Sequence, residues 1–444
     1  MIMPPDHWDT LLPRLMDGVT ANDPRPVHGR LRAVRGVLVH ASLPSARIGE
    51  LCQLRDPASS RSVLAEVIGF AGDEVILAPI GDLDGMSAQT QVRASGRSLT
   101  IPAGDGLLGR VMDPLGRLVD DGPPLGADTA YRPVQADPPH PLKRTLIDTP
   151  LRLGVRAIDG LITVARGQRI GLFGDAGVGK SSLLASIVAG TEADVIVIGL
   201  IGERGREVRE FIDVQLGAKA RARTVTVVAT SDRPAMERVK AAHVATAVAE
   251  HFRDEGRHVL LVIDSVTRFA RAQREMGLAA GEPPTRRSFP PSFFAALPRL
   301  LERAGTGARG SITALYTVLT EGEASQDPVA EEVKSILDGH IMLSPTLAQR
   351  NHFPAIDIVK SRSRLMDSVA SDDHRQAAMA MRQHIATYQE VELLIRIGEY
   401  AHGNDPRADA AVARHDAIET FLRQSSKEIA DFATTVGQMR AIVA

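Results

Sequence analysis

Two hydrophobic periods divide the chain. From Gly29 to about Ile101, short β-rich runs alternate with turn residues. The runs are Gly36–His40, Ser62–Phe70 and Glu74–Ala78, punctuated by Gly72-Asp73 and Gly81-Asp82. Several short strands at close spacing predict a small β-barrel or sandwich. From about 151 to 364 strands and helices alternate instead, the signature of a mostly parallel α/β sheet. Strands are expected at Ile170–Phe173, Asp194–Ile201, Thr224–Ala229, Val259–Asp264 and Ser311–Leu319. The second of these is apolar throughout, as a strand covered on both faces must be. Helices are expected after the first strand, over Arg206–Ile212 and from Pro234 to about Phe252.

The end of the chain reads as helical. Met381, Ile385, Tyr388, Val391 and Leu394 recur at three and four residues. Asp405-Pro406 has the form of an N-cap followed by proline at the first helical position. Ser425 to Glu428 has capping-box spacing and predicts a helix with the apolar stripe Ile429, Phe432, Val436 and Met439. Between barrel and sheet, residues 102–150 are rich in Pro and Gly. Leu108–Gly116 reads there as a strand ending in a turn, and Pro123-Pro124 and Pro138-Pro139 mark an extended connector. At the start, Trp8, Leu11, Leu12, Leu15 and Met16 make a small apolar face on a short helix, which serves either to dock on the chain's own barrel or to bind a partner. The expected division is an arm (1–24), a barrel (25–98), a nucleotide-binding domain (99–366) and a helical domain (367–444).

Composition narrows the function. Lys+Arg 52 against Asp+Glu 54 leaves no bulk basic charge to hold nucleic acid or an acidic membrane. Aromatic content of 4% leaves few platforms on which single-stranded bases stack. The one cysteine, Cys52, cannot form an intrachain disulfide and fits a reducing compartment. Met1–Asp6 shows no basic segment leading an apolar core, and runs such as Val195–Ile201 are too short to span a bilayer. The expectation is a soluble cytoplasmic protein.

The chemistry centres on Gly174-Asp175-Ala176-Gly177-Val178-Gly179-Lys180-Ser181, followed by Ser182. It fits G-x-x-x-x-G-K-[ST], and it lies between an expected strand and an expected helix, the context this phosphate cradle requires. The glycines let backbone N–H groups converge on an anion, and the helix N-terminus adds its positive dipole end. Lys180 is placed to reach the β- and γ-phosphates, and Ser181 to ligate Mg²⁺. Asp175 is tolerable there when its carboxylate points away from phosphate. Asp264 ends an apolar strand, where a carboxylate can stand beside that Mg²⁺. Gly202-Glu203-Arg204 follows another buried strand, so Glu203 could orient the attacking water and Arg204 could face the γ-phosphate. The alternative for the acids of this run is that Glu203 and Glu207 favour the first turn of a helix.

These motifs occur in a characteristic order: Gly174–Ser181, Leu200–Glu207, Ala229–Arg233, Asp264–Ala270, Ala280–Pro284, Leu337–Ile341 and Phe353–Asp357. In that order and spacing the chain, from about residue 25 to its end, resembles the export ATPases of type III secretion, relatives of the catalytic subunit of rotary F-type ATP synthase. The resemblance implies a β-barrel, a RecA-like P-loop ATPase core and a helical C-terminal domain, assembled as a homohexamer. It implies hydrolysis of ATP with Mg²⁺ between subunits, which energises chaperone release, unfolding and export of secreted proteins. Further implied partners are a stator protein at the N-terminal arm, a central stalk protein, chaperone–substrate complexes and the membrane export apparatus. Glu203 matches the catalytic glutamate, Lys180 and Ser181 the phosphate and metal ligands, Asp264 the metal-supporting carboxylate and Phe353 the aromatic that packs on adenine. Arg364 matches the arginine finger that reaches a neighbour's site. Arg362 stands two residues earlier, where the family carries a small or apolar residue, so two cations compete for that role. The tail Val391–Tyr400 with Phe421–Gln424 is more similar to the injectisome branch than to the flagellar export ATPases. An RNA translocase of the termination-factor type shares such a core, but it needs stacking aromatics in its barrel, and 25–98 offers Phe70 alone.

Overall fold

The computed structural model describes residues 28–59, 61–320 and 327–444. The arm carrying Trp8, Leu11, Leu12, Leu15 and Met16 lies outside them. The chain forms two compact units, one ending at Ser98 and one from Leu99 to Ala444.

In the first unit six strands close a barrel: β1 (His28–Arg35), β2 (Leu38–Ser42), β3 (Leu51–Arg55), β4 (Ser62–Ala71), β5 (Glu74–Ile80) and β6 (Gln91–Ala94). Their order is β1-β2-β5-β4-β3-β6, and β6 pairs back to β1. Closure leaves no free sheet edge. Inward residues including Val39, Leu54, Val67, Leu77 and Val92 fill the interior. The patterns of β1 and β6 are weak because Gly29, Ala33 and Ala94 fill inward positions with little apolar signal.

The second unit opens with β7 (Thr100–Ala103), β8 (Val111–Met112) and β9 (Ala130–Pro133). Strands β7 and β9 pair in a small antiparallel sheet. The expected strand over Leu108–Gly116 is thus two residues long, followed by a turn held by Asp113. The main sheet continues with β10 (Arg169–Gly174), β11 (Val195–Ile201), β12 (Thr224–Ala229), β13 (His258–Asp264), β14 (Gly305–Thr306), β15 (Ser311–Leu319), β16 (Gly339–Leu343) and β17 (Ile356–Ser363). Its order is β17-β16-β10-β15-β13-β11-β12-β8, with β14 added antiparallel to β15. Strands β16 to β8 run parallel, while β17 is an antiparallel edge. Helices α1 (Lys180–Gly190) and α2 (Ala235–Asp254) follow β10 and β12. Alanine dominates the buried face of α2, which lets it sit close to the sheet.

The C-terminal helices α3 (Asp372–Ile397), α4 (Pro406–Leu422) and α5 (Phe432–Val443) belong to the same unit. Met381, Ile418, Phe421 and Met439 join the sheet's own hydrophobic cluster. A Cβ at Gly160 would come within 2.4 Å of the Met439 sulfur, so this seam closes only on a glycine. Asp405 caps α4 as expected. The capping-box helix is corrected, however. α5 starts at Phe432, capped by Asp431, and 425–430 is non-helical. The Glu428 side chain goes to Arg156, and Ala430 N–H goes to the Gly154 carbonyl, so long-range partners outbid the local box. Ile429 therefore stands outside the helix, exposed. The expected helix Arg206–Ile212 is likewise shorter, Gly205–Glu210, and continues as a π-turn over Phe211–Gln215.

Asp159 is wholly buried and accepts the N–H groups of Leu153 and Gly154 at 2.9 and 2.8 Å. Burial raises its carboxyl from the ordinary 3.8 to about 7. Between those values the folded chain holds a proton that the unfolded chain releases, so stability falls as pH rises through this window and levels off above it. Urea unfolding from pH 4 to 8 is expected to show this decline, of a few kcal/mol. The slope in that window should flatten in Asp159→Asn, whatever that variant's baseline. An unchanged slope would place the titration elsewhere.

Candidate functional site

Parallel strands bind ligands at their carboxyl ends. Three such ends converge here. Gly174 closes β10, Glu203 follows β11 and Asp264 closes β13. The loop after Gly174 is pinned from beneath by buried Val178, part of the main cluster. Gly177 and Gly179 adopt φ of +84° and +88°, a left-handed backbone that a side chain would strain. A Cβ at Gly174 would lie 2.9 Å from Leu343, so that close approach also needs glycine. Asp175 turns to the end of β15, accepting the Thr320 hydroxyl at 2.7 Å. Ala176, Ser181 and Ser182 are exposed at the mouth.

Lys180 reaches across the crevice to Asp264, Nζ to Oδ1 2.6 Å, with both side chains largely buried. The same Asp264 oxygen accepts the Thr317 hydroxyl at 2.6 Å. Glu203 is half-buried, and its Oε1 is shielded from solvent without a hydrogen-bond partner. Burial pushes its carboxyl above the ordinary value, and the Asp264 charge adds to the rise while Lys180 and Arg268 oppose it. An unpaired buried carboxylate oxygen is costly, so it points to a missing partner such as a water or a hydroxyl. Arg268 is a residue the sequence reading left without a role. Its stem packs against Gly202, and its Nε is also buried without a partner. The signal was present in Asp264–Ala270, one helical turn beyond the carboxylate. Arg204 caps the helix after Glu203, and its exposed side chain pairs with Glu207 at 3.5 Å.

Beside the cradle lies a pocket of about 370 Å³. Gly179, Leu183, Val155, Phe353 and Pro354 give it apolar walls, and Gln424, Ser425 and Ser426 close its far side. The Phe353 ring is 40% exposed and stands 3.2 Å from where a Gly179 Cβ would be. The far wall comes from the non-helical stretch before α5. Gln424 is its bolt: N–H to the Phe353 carbonyl at 2.9 Å, Oε1 accepting Arg156 N–H at 2.8 Å, and Nε2 to the Gly154 carbonyl at 2.8 Å. Ser186 on α1 adds a bond to the Ser426 carbonyl at 3.0 Å. No local pattern announces these contacts, which reach up to 270 residues along the sequence.

Arg364 lies elsewhere. Its N–H donates to the Asp338 carbonyl, and Asp338 N–H donates to the Arg169 carbonyl, both at 2.9 Å. Arg169 begins β10, while the cradle follows the other end of that strand. The five steps from Arg169 to Gly174, at about 3.3 Å each, put Arg364 roughly 17 Å of strand away from Lys180's loop. Arg362, opposite His340 in the ladder, is at the same end. Both guanidinium groups are exposed, and neither has an ion pair among the described residues.

As donors for a divalent cation, the Ser181 hydroxyl and Asp264 carboxylate are hard oxygens of the kind Mg²⁺ prefers. Among the described residues no cluster of three or more His, Cys, Asp or Glu side chains could hold a metal, so a cation here would share its shell with phosphate and water.

Three family descriptions cover most of the chain. The nucleotide-binding domain of the ATP synthase alpha/beta family matches residues 154–363, its beta-barrel domain 32–96, and the T3SS EscN ATPase C-terminal domain 370–441. A type 3 secretion system ATPase of Sinorhizobium fredii is 54% identical over 94% of this chain and 92% of its own length. A flagellum-specific ATP synthase of Bacillus subtilis is 43% identical, over 96% and 98%. The solved structure of the assembled ATPase EscN from the enteropathogenic E. coli type III secretion system is 50% identical with a TM-score of 0.89, covering 94% of this chain and 100% of that one. EscN in complex with its central stalk EscO matches over the same shares at 50% identity, with a TM-score of 0.86.

Gln424→Ala removes the bolt and leaves Arg156 N–H unpaired, while the Gly154 carbonyl keeps only Ala430 N–H, at about 1–3 kcal/mol. The expected outcome is a melting temperature several degrees lower and ATP binding weakened on the order of tenfold. Thermal melts and a nucleotide titration check both. A lower melt with unaltered affinity would confine Gln424 to the fold.

Proposed function

This chain belongs to the type III secretion ATPases of the ATP synthase alpha/beta family, and from that premise we propose that each ATP is cradled by one subunit and completed by an arginine of the next. The chain hydrolyses ATP. Its higher identity to the secretion ATPase than to the flagellum-specific enzyme favours the secretion branch. The observation that carries the shared site is the separation of Lys180 and Arg364 at opposite ends of one sheet. A subunit cannot fold its own Arg364 onto its own cradle across that length. A head-to-tail contact brings the two ends together, and such contacts close into rings when the rotation permits. The likeness to an assembled relative supports a homohexamer.

Within one site the geometry supports the following roles. Loop amides and Lys180 take the phosphates, and the Phe353 pocket takes the base. Mg²⁺, held by Ser181 and steadied by Asp264, would neutralise charge on the phosphate oxygens. Glu203, with a raised pKa and an unsatisfied oxygen, is suited to orient water and accept its proton. Arg204, on the exposed side of the same turn, is a second cation at the mouth. Arg364 from the neighbour stabilises charge as the terminal phosphate leaves.

For partners, the EscN–EscO complex supports a central stalk protein in the ring's axis. Residues 1–24 are proposed as the stator contact. Chaperone–cargo complexes would be released, unfolded and exported at the expense of ATP. Among the described residues no helix is long and apolar enough to cross a membrane. The proposed location is the cytoplasm, in peripheral contact with the membrane export apparatus.

Glu203→Gln should bind ATP within about twofold of the parent and lose turnover by roughly 10²–10⁴. Equilibrium nucleotide binding with steady-state phosphate release measures both, and near-parental turnover would remove Glu203 from the mechanism. Arg364→Ala should bind nucleotide and lose on the order of 10³–10⁵ in rate. Mixing it with Lys180→Ala should recover activity, because some interfaces then join an intact cradle to an intact arginine. If Arg362→Ala is the crippling change instead, the finger lies two residues earlier.

A further inference from the structure

The connector before the main sheet carries two bare leucines. Leu142 and Leu146 are each 91% exposed. A solitary surface leucine is ordinary. These two lie on a segment fastened to the fold between them. The Arg144 guanidinium donates to the carbonyls of Glu302 and Ala304 at 2.5 and 2.8 Å. The Thr145 carbonyl accepts the Thr306 hydroxyl at 2.8 Å. With the backbone held this way, the leucines cannot retreat into the chain's own core without breaking those bonds.

Their place in the fold gives them a use. The Glu302 carboxylate stands 3.7 Å from Arg144 and 2.5 Å from Arg169. Arg169 bonds Asp338 at 3.1 Å, and the Asp338 carbonyl receives the Arg364 N–H. The connector, the start of β10 and the candidate finger therefore share one end of the sheet, opposite the phosphate cradle. We propose that Leu142 and Leu146 pack against the next copy of this chain, on the contact that carries Arg364 to that copy's ATP. The proposal rests on the ring reading above. It commits to a second copy because the end of the subunit that offers Arg364 must be covered if that arginine works in trans, and the leucines lie on the same end. Arg144 then acts as the clamp that presents them.

The test compares Leu142→Asp plus Leu146→Asp with the parent and with Arg364→Ala, each as purified full-length chain. Sedimentation across a concentration series, with ATP analogue present, reads assembly. Phosphate release over the same series reads activity. The leucine variant is expected to need at least about tenfold more protein to assemble. Its activity per chain should be low when dilute and recover when concentrated. Its nucleotide affinity and melting temperature as monomer should match the parent, because no described residue of the subunit covers these side chains. Arg364→Ala should assemble normally and stay inactive at every concentration, which separates a lost contact from a lost finger. Parental assembly by the leucine variant overturns the proposal, including the case where a different protein or residues 1–27 cover the patch. A lowered monomer melt, reproduced in the milder Leu142→Ser plus Leu146→Ser, also overturns it, since the leucines would then be packed inside the chain. An active Arg364→Ala refutes the finger assignment and leaves the assembly readout standing.

Discussion

A parallel sheet covered on both faces can show polar groups to solvent only at its two ends. That constraint organises this molecule. Strand β11 is buried along its whole length, so Glu203 can appear only beyond its last residue. Asp264 likewise ends β13, and the glycine loop opens where β10 stops. The acid, the carboxylate partner of Lys180 and the anion cradle meet because their strands are neighbours running the same way. Arg362 and Arg364 obey the same rule at the opposite end, where the one antiparallel edge strand finishes.

The second organising contact is the fusion of the helical tail with the sheet. Met381, Phe421 and Met439 share a core with Leu172 and Ile341, so the tail does not form a separate body. The turn after α4 is drawn into the pocket beside Phe353 by Gln424 and anchored by Arg156. One wall of that pocket therefore moves only when the tail moves. A shift of α4 and α5 would alter the space beside Phe353, and a base in the pocket would resist that shift. A structural route thus joins the helical end to the pocket beside the cradle.

What the sequence disclosed tracks how local each signal is. The five long parallel strands were legible because unbroken apolar runs of that length have few other uses. The cradle was legible because its glycines, lysine and serine must be consecutive. Barrel strands β1, β3 and β6 were not, since small inward residues such as Gly29, Ala33 and Ala94, and the shortness of β3 and β6, leave little apolar signal. Ser425 to Glu428 misled for the opposite reason. Its local pattern was sound, but Arg156 and Gly154 claimed the same groups from far along the chain. Gln424 and Arg268 were missed as site residues because their roles depend on what stands opposite them, which no short window contains. The family resemblance supplied the expectation for Phe353, which the fold places beside the cradle, and for Arg364, which it places at the far end of the sheet.

Lys180 and Asp264 form an ion pair of 2.6 Å, both side chains largely buried. An arriving nucleotide must therefore win the ammonium from a partner that already satisfies it. The net gain is the difference between two links of similar strength, not the full worth of either. When the phosphate departs, the carboxylate is waiting, held in position by Thr317. Asp264 is thus a counter-ion that any anion approaching Lys180 has to share or displace.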